Sequence, residues 1–229
     1  MARATRVSVI IPTYNEESTI EGLLQHLLAL GADEIIVVDG SSRDRTTELV
    51  RRFSAVRLLE TQAGRGLQMN AGAKVSSGDV LLFLHADVRL SAQALPALRA
   101  AMRDDKVMGG NFNICYAGDD FISRAFTIIN RYRRRAGIFY GDSGIFCREK
   151  IFISLGGYRL WPLLEDYEFA RRLLKTGRLS FLEEIIYVSN RRWNGSGVGS
   201  TMWRWVVIQG LYSLGVSPQR LASLYQHIR

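Results

Sequence analysis

The feature that most constrains the fold is a series of short apolar runs that alternate with segments of helical periodicity. The runs at Val7–Ile11, Glu34–Val38 and Val56–Leu59 are typical of buried strands. Apolar residues recur at helical spacing over Ile20–Leu28, and a second helix is predicted over Arg45–Phe53. This β-α-β-α-β order predicts an α/β protein with a parallel sheet and right-handed crossovers.

The rest of the chain predicts further elements in a less regular order. Strands are predicted at Val80–Leu84, Val107–Cys115, Gly144–Cys147 and Arg178–Val188. A glycine-punctuated loop that runs into a helix is predicted at Gly64–Val75. Helices are predicted at Ser91–Met102 with Ser91 as N-cap, Phe121–Arg135, Glu165–Lys175 and Ser200–Leu214. No repeat or linker divides the sequence, so we expect one domain over 1–229, built from the halves 1–115 and 116–229.

The charge is distributed unevenly between these halves. The 229 residues include 30 Lys and Arg against 22 Asp and Glu, a net charge of +8. Residues 1–115 carry 13 basic and 13 acidic side chains, whereas 116–229 carry 17 basic and 9 acidic ones. The excess predicts an anionic partner, which could be a phosphate ligand, an anionic membrane or a nucleic acid. A solvated surface in an arginine-rich chain is the alternative.

The cysteines and the apolar segments indicate a cytoplasmic protein. Cys115 and Cys147 form no metal motif and no disulfide framework. The apolar run Val7–Pro12 is too short for a signal peptide or a membrane span. A longer apolar segment, Trp203–Val216, is interrupted by Arg204 and by glycines, so no transmembrane helix is predicted.

Polar side chains follow three predicted strands, at the edge where parallel sheets bind ligands. Asp39 could accept hydrogen bonds from a base or a ribose, although an N-cap role is the alternative. Tyr14 offers an aromatic face for stacking. Asp87 suits Mg²⁺ or Mn²⁺, which take one or two carboxylates plus substrate phosphates, and a turn aspartate is the alternative. For His85, a structural role is favoured over metal ligation.

Together these segments resemble the GT-A glycosyltransferases of family 2 over nearly the whole chain. The matching segments are Val7–Glu17, Ile35–Asp44, Gly64–Gly72, His85-Ala86-Asp87 at the D-x-D position, Leu164-Glu165-Asp166, and Arg192-Trp193 at the end of a Q-x-x-R-W motif. The resemblance implies a three-layer α/β/α, Rossmann-like fold with a mostly parallel mixed sheet. The first half would bind the nucleotide sugar, and the second half, with its C-terminal helix, would bind the acceptor.

The resemblance also implies residue roles. The residues implied in donor binding are Pro12, Thr13, Tyr14, Glu16, Asp39, Gly40, Ser41, Arg65, Asn70, His85, Ala86 and Trp193. Asp87 would bind the metal that holds the diphosphate. Asp166 would be the general base with Glu165 in reserve, and Arg192 would assist the leaving group.

Two departures from the family pattern narrow the implied reaction. His85 occupies the first D-x-D position, so metal binding rests on Asp87 among the side chains, and Ser189 replaces the glutamine of Q-x-x-R-W. That motif is best developed in processive enzymes with membrane spans. This sequence shows neither the complete motif nor a membrane span, so transfer of a single sugar is expected rather than polymerisation. The resemblance implies inversion of the anomeric carbon. UDP is the favoured donor nucleotide with GDP left open, and the acceptor hydroxyl is small, lipid-linked or phosphorylated.

Other functions remain as alternatives. The arginines of Arg131–Arg135 suggest a nucleic-acid-binding module, but no nucleic-acid motif accompanies them, so no nucleic-acid partner is expected. A sugar nucleotidyltransferase would resemble a Gly-rich basic loop after the first strand, where this chain has Pro12-Thr13-Tyr14. Met202–Ile208 combines Trp and Arg, which suits peripheral binding at the inner membrane face, while core or homo-oligomer packing is the alternative. The glycines of Trp193–Gly199 suit a lid, and a simple surface loop is the alternative.

Overall fold

The computed structural model describes residues 5–116, 121–188 and 207–227. The strands in these ranges are β1 Val7–Thr13, β2 Glu34–Asp39, β3 Val56–Glu60, β4 Val80–Phe83, β5 Val88–Leu90, β6 Val107–Tyr116, β7 Phe146–Arg148 and β8 Arg178–Val188. The helices are α1 Ile20–Ala29, α2 Thr46–Arg51, α3 Arg65–Val75, α4 Ala94–Ala101, α5 Phe121–Arg135, α6 Glu149–Ser154, α7 Glu165–Leu173, α8 207–213 and α9 Pro218–His227. A 3₁₀ turn spans Gly141–Ser143.

The strands form one eight-stranded sheet in the order β3-β2-β1-β4-β7-β6-β8-β5. Strands β3, β2, β1 and β4 pair in parallel, as do β6 and β8. Strand β7 lies antiparallel between β4 and β6, and β5 pairs antiparallel with β8. The sheet is therefore mixed and mostly parallel, as predicted. Because β7 inserts between β4 and β6, one continuous sheet joins the two halves of the sequence.

Buried side chains cover both faces of the sheet, which gives three layers. Successive residues of a strand point to opposite faces. In β1, Val9 and Ile11 belong to a core that includes buried leucines of α1 and α4, whereas Ile10 belongs to a second core with Met69 and Phe169. Since the central strands are buried on both sides, they read as continuous apolar runs rather than alternating ones.

Several local features differ from the sequence-based expectations. Ser91 is not an N-cap, because α4 begins at Ala94 and the Ser91 hydroxyl accepts a hydrogen bond from the backbone N–H of Ile185. Strand β5 was missed because it has three residues and pairs with β8, about a hundred residues away. Helix α6 was missed because only one of its six residues, Phe152, is buried, so it has no recurring apolar positions. Helix α9 begins with Pro218, a helix-start signal that was overlooked.

Candidate functional site

The carboxyl ends of β1, β2 and β4 lie side by side, so the three polar segments meet at one edge of the sheet. Thr13 is the register partner of Asp39, and its Oγ1 donates a hydrogen bond to Asp39 Oδ1 at 3.0 Å. The 85–87 segment follows β4, whose Phe83 pairs with Ile10 of β1. His85 and Asp87 are half-buried there, and Ala86 is buried.

Asp39 organises the turn that follows β2. Its side chain is 1% exposed, and besides Thr13 it accepts from the backbone N–H of Ser42 at 2.7 Å and from Ser42 Oγ at 2.5 Å. Oδ1 accepts two of these hydrogen bonds and Oδ2 accepts one, and since a carboxylate oxygen can accept two, Oδ2 keeps capacity for a ligand. Asp39 is not the N-cap of α2, because that helix begins at Thr46, whose backbone N–H donates to Asp44 Oδ1 at 3.0 Å instead. The ligand role of Asp39 stays a prediction.

Strained backbone is concentrated around this edge. The described non-glycine residues with positive φ are Asn15, Ser41 and Leu164, with φ values of 55°, 64° and 63°. Asn15 and Ser41 follow β1 and β2, and Leu164 immediately precedes Glu165, two residues before the predicted base Asp166. Such conformations cost free energy and cluster at functional sites. The backbone strain therefore coincides with the loops that carry the predicted donor and acceptor residues.

Gln68 is a component of the site that the sequence analysis missed. Its side chain is 2% exposed, and Nε2 donates to the backbone carbonyls of Thr13 and Val38 at 2.8 Å each. A Cβ at Gly40 would lie 3.0 Å from the Gln68 side chain. Gln68 thus clamps the ends of β1 and β2 together, and Gly40 leaves room for it. Gln68 lies within the recognised Gly64–Gly72 segment, but that segment does not indicate this role.

In the loop after β1, the Tyr14 side chain is exposed, whereas Glu16 and Pro12 contact the rest of the fold. The Tyr14 side chain is 51% exposed, which leaves its ring free to stack on a flat ligand. Glu16 is half-buried and its Oε2 accepts from Thr19 Oγ1 at 2.9 Å, at the start of α1. Pro12 is buried opposite Val38 in the sheet. Tyr14 is therefore the most accessible of the predicted nucleoside contacts in this loop.

Helix α3 joins the donor edge to the second half of the chain. Its Asn70 amide donates to the Tyr158 carbonyl and accepts from the Tyr158 N–H, each at 2.8 Å. Arg65, the first residue of α3, places Nε 2.7 Å from Glu165 Oε1. Burial opposes the charge on Arg65, but the carboxylates of Glu165, Asp166 and Asp142 outweigh it and raise the pKa of Arg65. Asn70 thus holds the 158 loop, while Arg65 remains charged between several carboxylates.

The two predicted acid–base residues begin helix α7 and are buried. Asp166 is 8% exposed, and it accepts from the backbone N–H groups of Gly141 and Tyr167 at 2.7 Å each. Glu165 is 1% exposed, and its contact with Arg65 is an ion pair without well-directed hydrogen-bond geometry. Burial raises the pKa of Glu165 to about 7. Asp166 is thus the better oriented of the two carboxylates.

Gly141 lies between two segments of the chain that the sequence analysis predicts to bind the donor and the acceptor. A Cβ at this position would lie 2.9 Å from His85 Nε2 and 3.0 Å from Asp166 Oδ2. Both side chains therefore face the same point of the backbone, where only a glycine leaves them room. The structure in this way brings the segment at the D-x-D position next to the Glu-Asp motif. The role of Gly141 was not predicted.

The side chains available as metal ligands suit an ion that is bound partly by the protein and partly by a substrate. Among the described residues, no group of three or more His, Cys, Asp or Glu side chains could hold a metal ion. Mg²⁺ is usually bound by one or two carboxylates together with substrate phosphates. Asp87 at the sheet edge fits that arrangement, whereas the described side chains do not form an all-protein cage.

Some predicted residues lie outside the described ranges. They are Arg192, Trp193 and Ser189, the glycine-rich Trp193–Gly199, and residues 202–206 of the Trp/Arg segment Met202–Ile208. The last residue of that segment, Ile208, is described and is buried in a cluster with Leu164 and Leu221. The helix predicted at Ser200–Leu214 is described over 207–213. In the described parts of the chain, no helix has both the length and the apolar character needed to cross a bilayer.

Known protein sequences resemble this chain. The glycosyl transferase family 2 model matches residues 8–155. An undecaprenyl-phosphate 4-deoxy-4-formamido-L-arabinose transferase of Aeromonas hydrophila is 31% identical over 156 residues, which are 62% of this chain and 48% of that protein. A dolichol-phosphate mannosyltransferase of Pyrococcus furiosus is 36% identical over 107 residues, 43% of this chain and 30% of that protein. The chain thus spans half or less of these relatives.

Solved structures share the fold. The mannosyltransferase PcManGT from Pyrobaculum calidifontis, in complex with GDP-Man and Mn²⁺, superposes with a TM-score of 0.70 at 21% identity, covering 92% of this chain and 63% of that one. TarS 1–349 of S. aureus, in complex with UDP, gives a TM-score of 0.64 at 20% identity, covering 80% of this chain and 60% of that one. At such identities the likeness concerns the fold alone.

Proposed function

Because the chain belongs to glycosyl transferase family 2, we propose that it moves one sugar from a nucleotide diphosphate sugar to an acceptor oxygen. The observation that carries this proposal is the approach of His85 and Asp166 to Gly141, at 2.9 and 3.0 Å from its Cβ position. A carboxylate on the acceptor side thereby faces the segment that would hold the donor diphosphate. Such proximity is what a group transfer between two bound substrates requires.

On the donor side, the loops after β1 and β2 bind the nucleoside. Tyr14 stacks on the base, and the carboxylates of Glu16 and Asp39 accept from base or ribose donors. Pro12, Thr13, Gly40 and Ser41 form the backbone surface beneath them. UDP is the favoured nucleotide and GDP the alternative, since one structural neighbour contains UDP and another GDP-Man.

The departing diphosphate gains negative charge, which cationic groups stabilise. Asp87 would hold Mg²⁺ or Mn²⁺, and the bound ion would supply Lewis-acid stabilisation of that charge. Arg65 contributes a guanidinium on the α3 side, with Arg192 and Trp193 assigned to the same region by the family resemblance. Asn70, His85 and Ala86 shape the surroundings of the donor sugar.

On the acceptor side, Asp166 is the general base and Glu165 the reserve. The backbone N–H groups of Gly141 and Tyr167 fix the Asp166 carboxylate, which keeps lone pairs available for the acceptor proton. The acceptor oxygen forms a bond to the anomeric carbon as the bond to the diphosphate breaks. Attack from the face opposite the leaving group inverts that carbon.

The acceptor is a hydroxyl or the phosphate of a lipid. A hydroxyl loses its proton to Asp166 as it attacks, whereas a phosphate monoester is ionised near neutral pH and needs no base. Relatives named for undecaprenyl phosphate and dolichol phosphate support the second class. A lipid-borne acceptor also suits peripheral association with the inner membrane face.

A donor screen tests the proposal. Purified protein is incubated with UDP- and GDP-sugars and Mg²⁺ or Mn²⁺, and release of nucleoside diphosphate is measured with and without EDTA. We expect metal-dependent hydrolysis of at least one donor, and binding of that donor by calorimetry. If no nucleotide sugar is bound or hydrolysed, the proposed function is wrong.

A further inference from the structure

Helix α5 carries an exposed face on which bulky apolar side chains alternate with arginines. Ile128, Ile129 and Tyr132 are 57%, 44% and 68% exposed. The side chains of Arg131 and Arg135 are 51% and 53% exposed. Residues three or four positions apart share a side of a helix, so these five residues form one continuous strip. We refer to them as the α5 face.

The α5 face is positively charged. The sequence has no Asp or Glu between Phe121 and Arg135. Glu183 of β8 lies 3.2, 2.7 and 3.0 Å from the guanidinium groups of Arg131, Arg134 and Arg135. One carboxylate cannot neutralise three guanidinium groups, so positive charge remains beside the exposed isoleucines.

The inner side of α5 is tied to the catalytic region. Arg133 donates a hydrogen bond to the Tyr140 hydroxyl at 2.9 Å, with its guanidinium carbon 5.4 Å from the ring centroid. The Tyr140 ring stacks on Tyr167 with centroids 5.3 Å apart, and Tyr167 directly follows Asp166. The α5 face is thus the outer surface of a helix that packs next to the proposed base.

We propose that the α5 face docks the protein on an anionic lipid bilayer. Ile128, Ile129 and Tyr132 enter the headgroup region, while Arg131 and Arg135 contact lipid phosphates. A bilayer surface offers phosphates directly above apolar chains, which matches this mixture of side chains. The inference deepens the proposed function and rests on it in one respect. Docking would bring a lipid-borne acceptor towards Asp166.

Two other partners fit the α5 face less well. A nucleic acid would use the arginines but would leave the exposed isoleucines in water. A second copy of the chain, paired through a two-fold axis, would set the positive face against itself, and the like charges would repel. Charge complementarity therefore favours the anionic bilayer.

Vesicle co-sedimentation of the full chain tests this docking without any donor or acceptor. Vesicles of phosphatidylcholine alone are compared with vesicles that also contain phosphatidylglycerol, at low and high salt. We expect binding to the anionic vesicles only, weakened by salt. The double variants I128S/Y132S and R131Q/R135Q should each lower binding about tenfold or more. The arginine variant should also reduce the salt dependence.

Matched variants elsewhere on the surface serve as controls. Ile153→Ser changes an isoleucine of α6 that is 63% exposed, and R51Q/R52Q removes two arginines at the end of α2. Neither should change vesicle binding. The docking proposal is overturned if the chain ignores anionic vesicles, or if both α5 variants, shown to be folded by urea unfolding, bind as the unchanged protein does. A dimer in sedimentation velocity that I128S/Y132S dissociates would also overturn it. Donor hydrolysis without vesicles is measured separately, so its failure contradicts the proposed function alone.

Discussion

Arg65 Nε lies 2.7 Å from Glu165 Oε1, so the first residue of α3 forms an ion pair with the first residue of α7. Glu165 is 1% exposed, and its Oε2 has no hydrogen-bond partner among the described residues. Burial raises the pKa of Glu165 to about 7; Arg65 opposes that rise and the charge of Asp166 adds to it. The pair therefore links α3 to α7 through a carboxyl whose pKa is raised to about 7.

Glu165→Gln should make stability less dependent on pH. The pKa of Glu165 is about 7 in the folded protein against an ordinary value of 4.5, so between these values the folded state binds more protons than the unfolded state. Stability from this group is therefore greatest at low pH and falls as pH rises through that window. In E165Q the fall should shrink by on the order of 1–3 kcal/mol. Urea unfolding across the window measures the difference.

The control for this prediction is Glu60→Gln, at the exposed end of β3. This change removes an exposed carboxyl rather than a buried one, so the dependence of the free energy of unfolding on pH should change little. An E165Q profile that parallels the unchanged protein would show that Glu165 titrates as an ordinary exposed carboxyl.

Parts of the site are predictable because their signal is local. Thr13 and Asp39 follow apolar strands, and the rule for parallel sheets brings such residues together. Gln68 and Gly141 have no comparable signal. Gln68 donates to carbonyls 55 and 30 residues away, and Gly141 is constrained by His85 and Asp166, so both roles depend on tertiary contacts. The fold was predictable for a related reason, since the central strands are continuous apolar runs and the longer helices carry apolar residues at helical spacing.

Gln68→Leu should destabilise the protein and weaken donor binding. The change removes the Nε2 donor from the buried carbonyls of Thr13 and Val38. Thr13 keeps its hydrogen bond from the Gly40 N–H, so we expect a loss of about 1–3 kcal/mol in all. The ends of β1 and β2 then lose their clamp, so the donor KM should rise more than kcat falls. Urea unfolding and donor titrations measure both effects. The control Gln93→Leu changes the exposed residue before α4 and should leave the stability and the donor KM unchanged. If Q68L also changes neither quantity, Gln68 does not hold the ends of β1 and β2 together.

Gly141→Ala should reduce turnover by displacing catalytic groups. The new methyl would lie 2.9 Å from His85 Nε2 and 3.0 Å from Asp166 Oδ2, so at least one side chain has to move. A displacement of about 1 Å can cost about 10²-fold in rate. Initial rates at saturating donor measure the loss. Gly22→Ala on α1, which meets no atom within 4 Å, should instead stabilise the helix by up to about 1 kcal/mol without changing the rate.

Asp87→Ala should abolish metal-dependent donor turnover and leave folding nearly intact. Asp87 is half-buried after β4, and its proposed role concerns the ion rather than the core. Titration of Mn²⁺ in the presence of the nucleoside diphosphate should show weaker binding in the variant, while the urea midpoint changes little. Full activity of D87A with the true substrates would show that Asp87 is not the metal ligand.

Asp166→Asn distinguishes the two acceptor classes. The amide cannot take a proton, so transfer to a hydroxyl should slow by about 10²–10⁴-fold while donor binding remains close to normal. Transfer to a lipid phosphate should slow far less, because the attacking oxygen is already ionised. Rates with a hydroxyl acceptor and with a polyprenyl phosphate, measured beside the control Asp105→Asn at a 97% exposed side chain, separate these cases. An unchanged rate with a hydroxyl acceptor would reject Asp166 as the base and direct attention to Glu165, whose pKa of about 7 already suits proton transfer near neutrality.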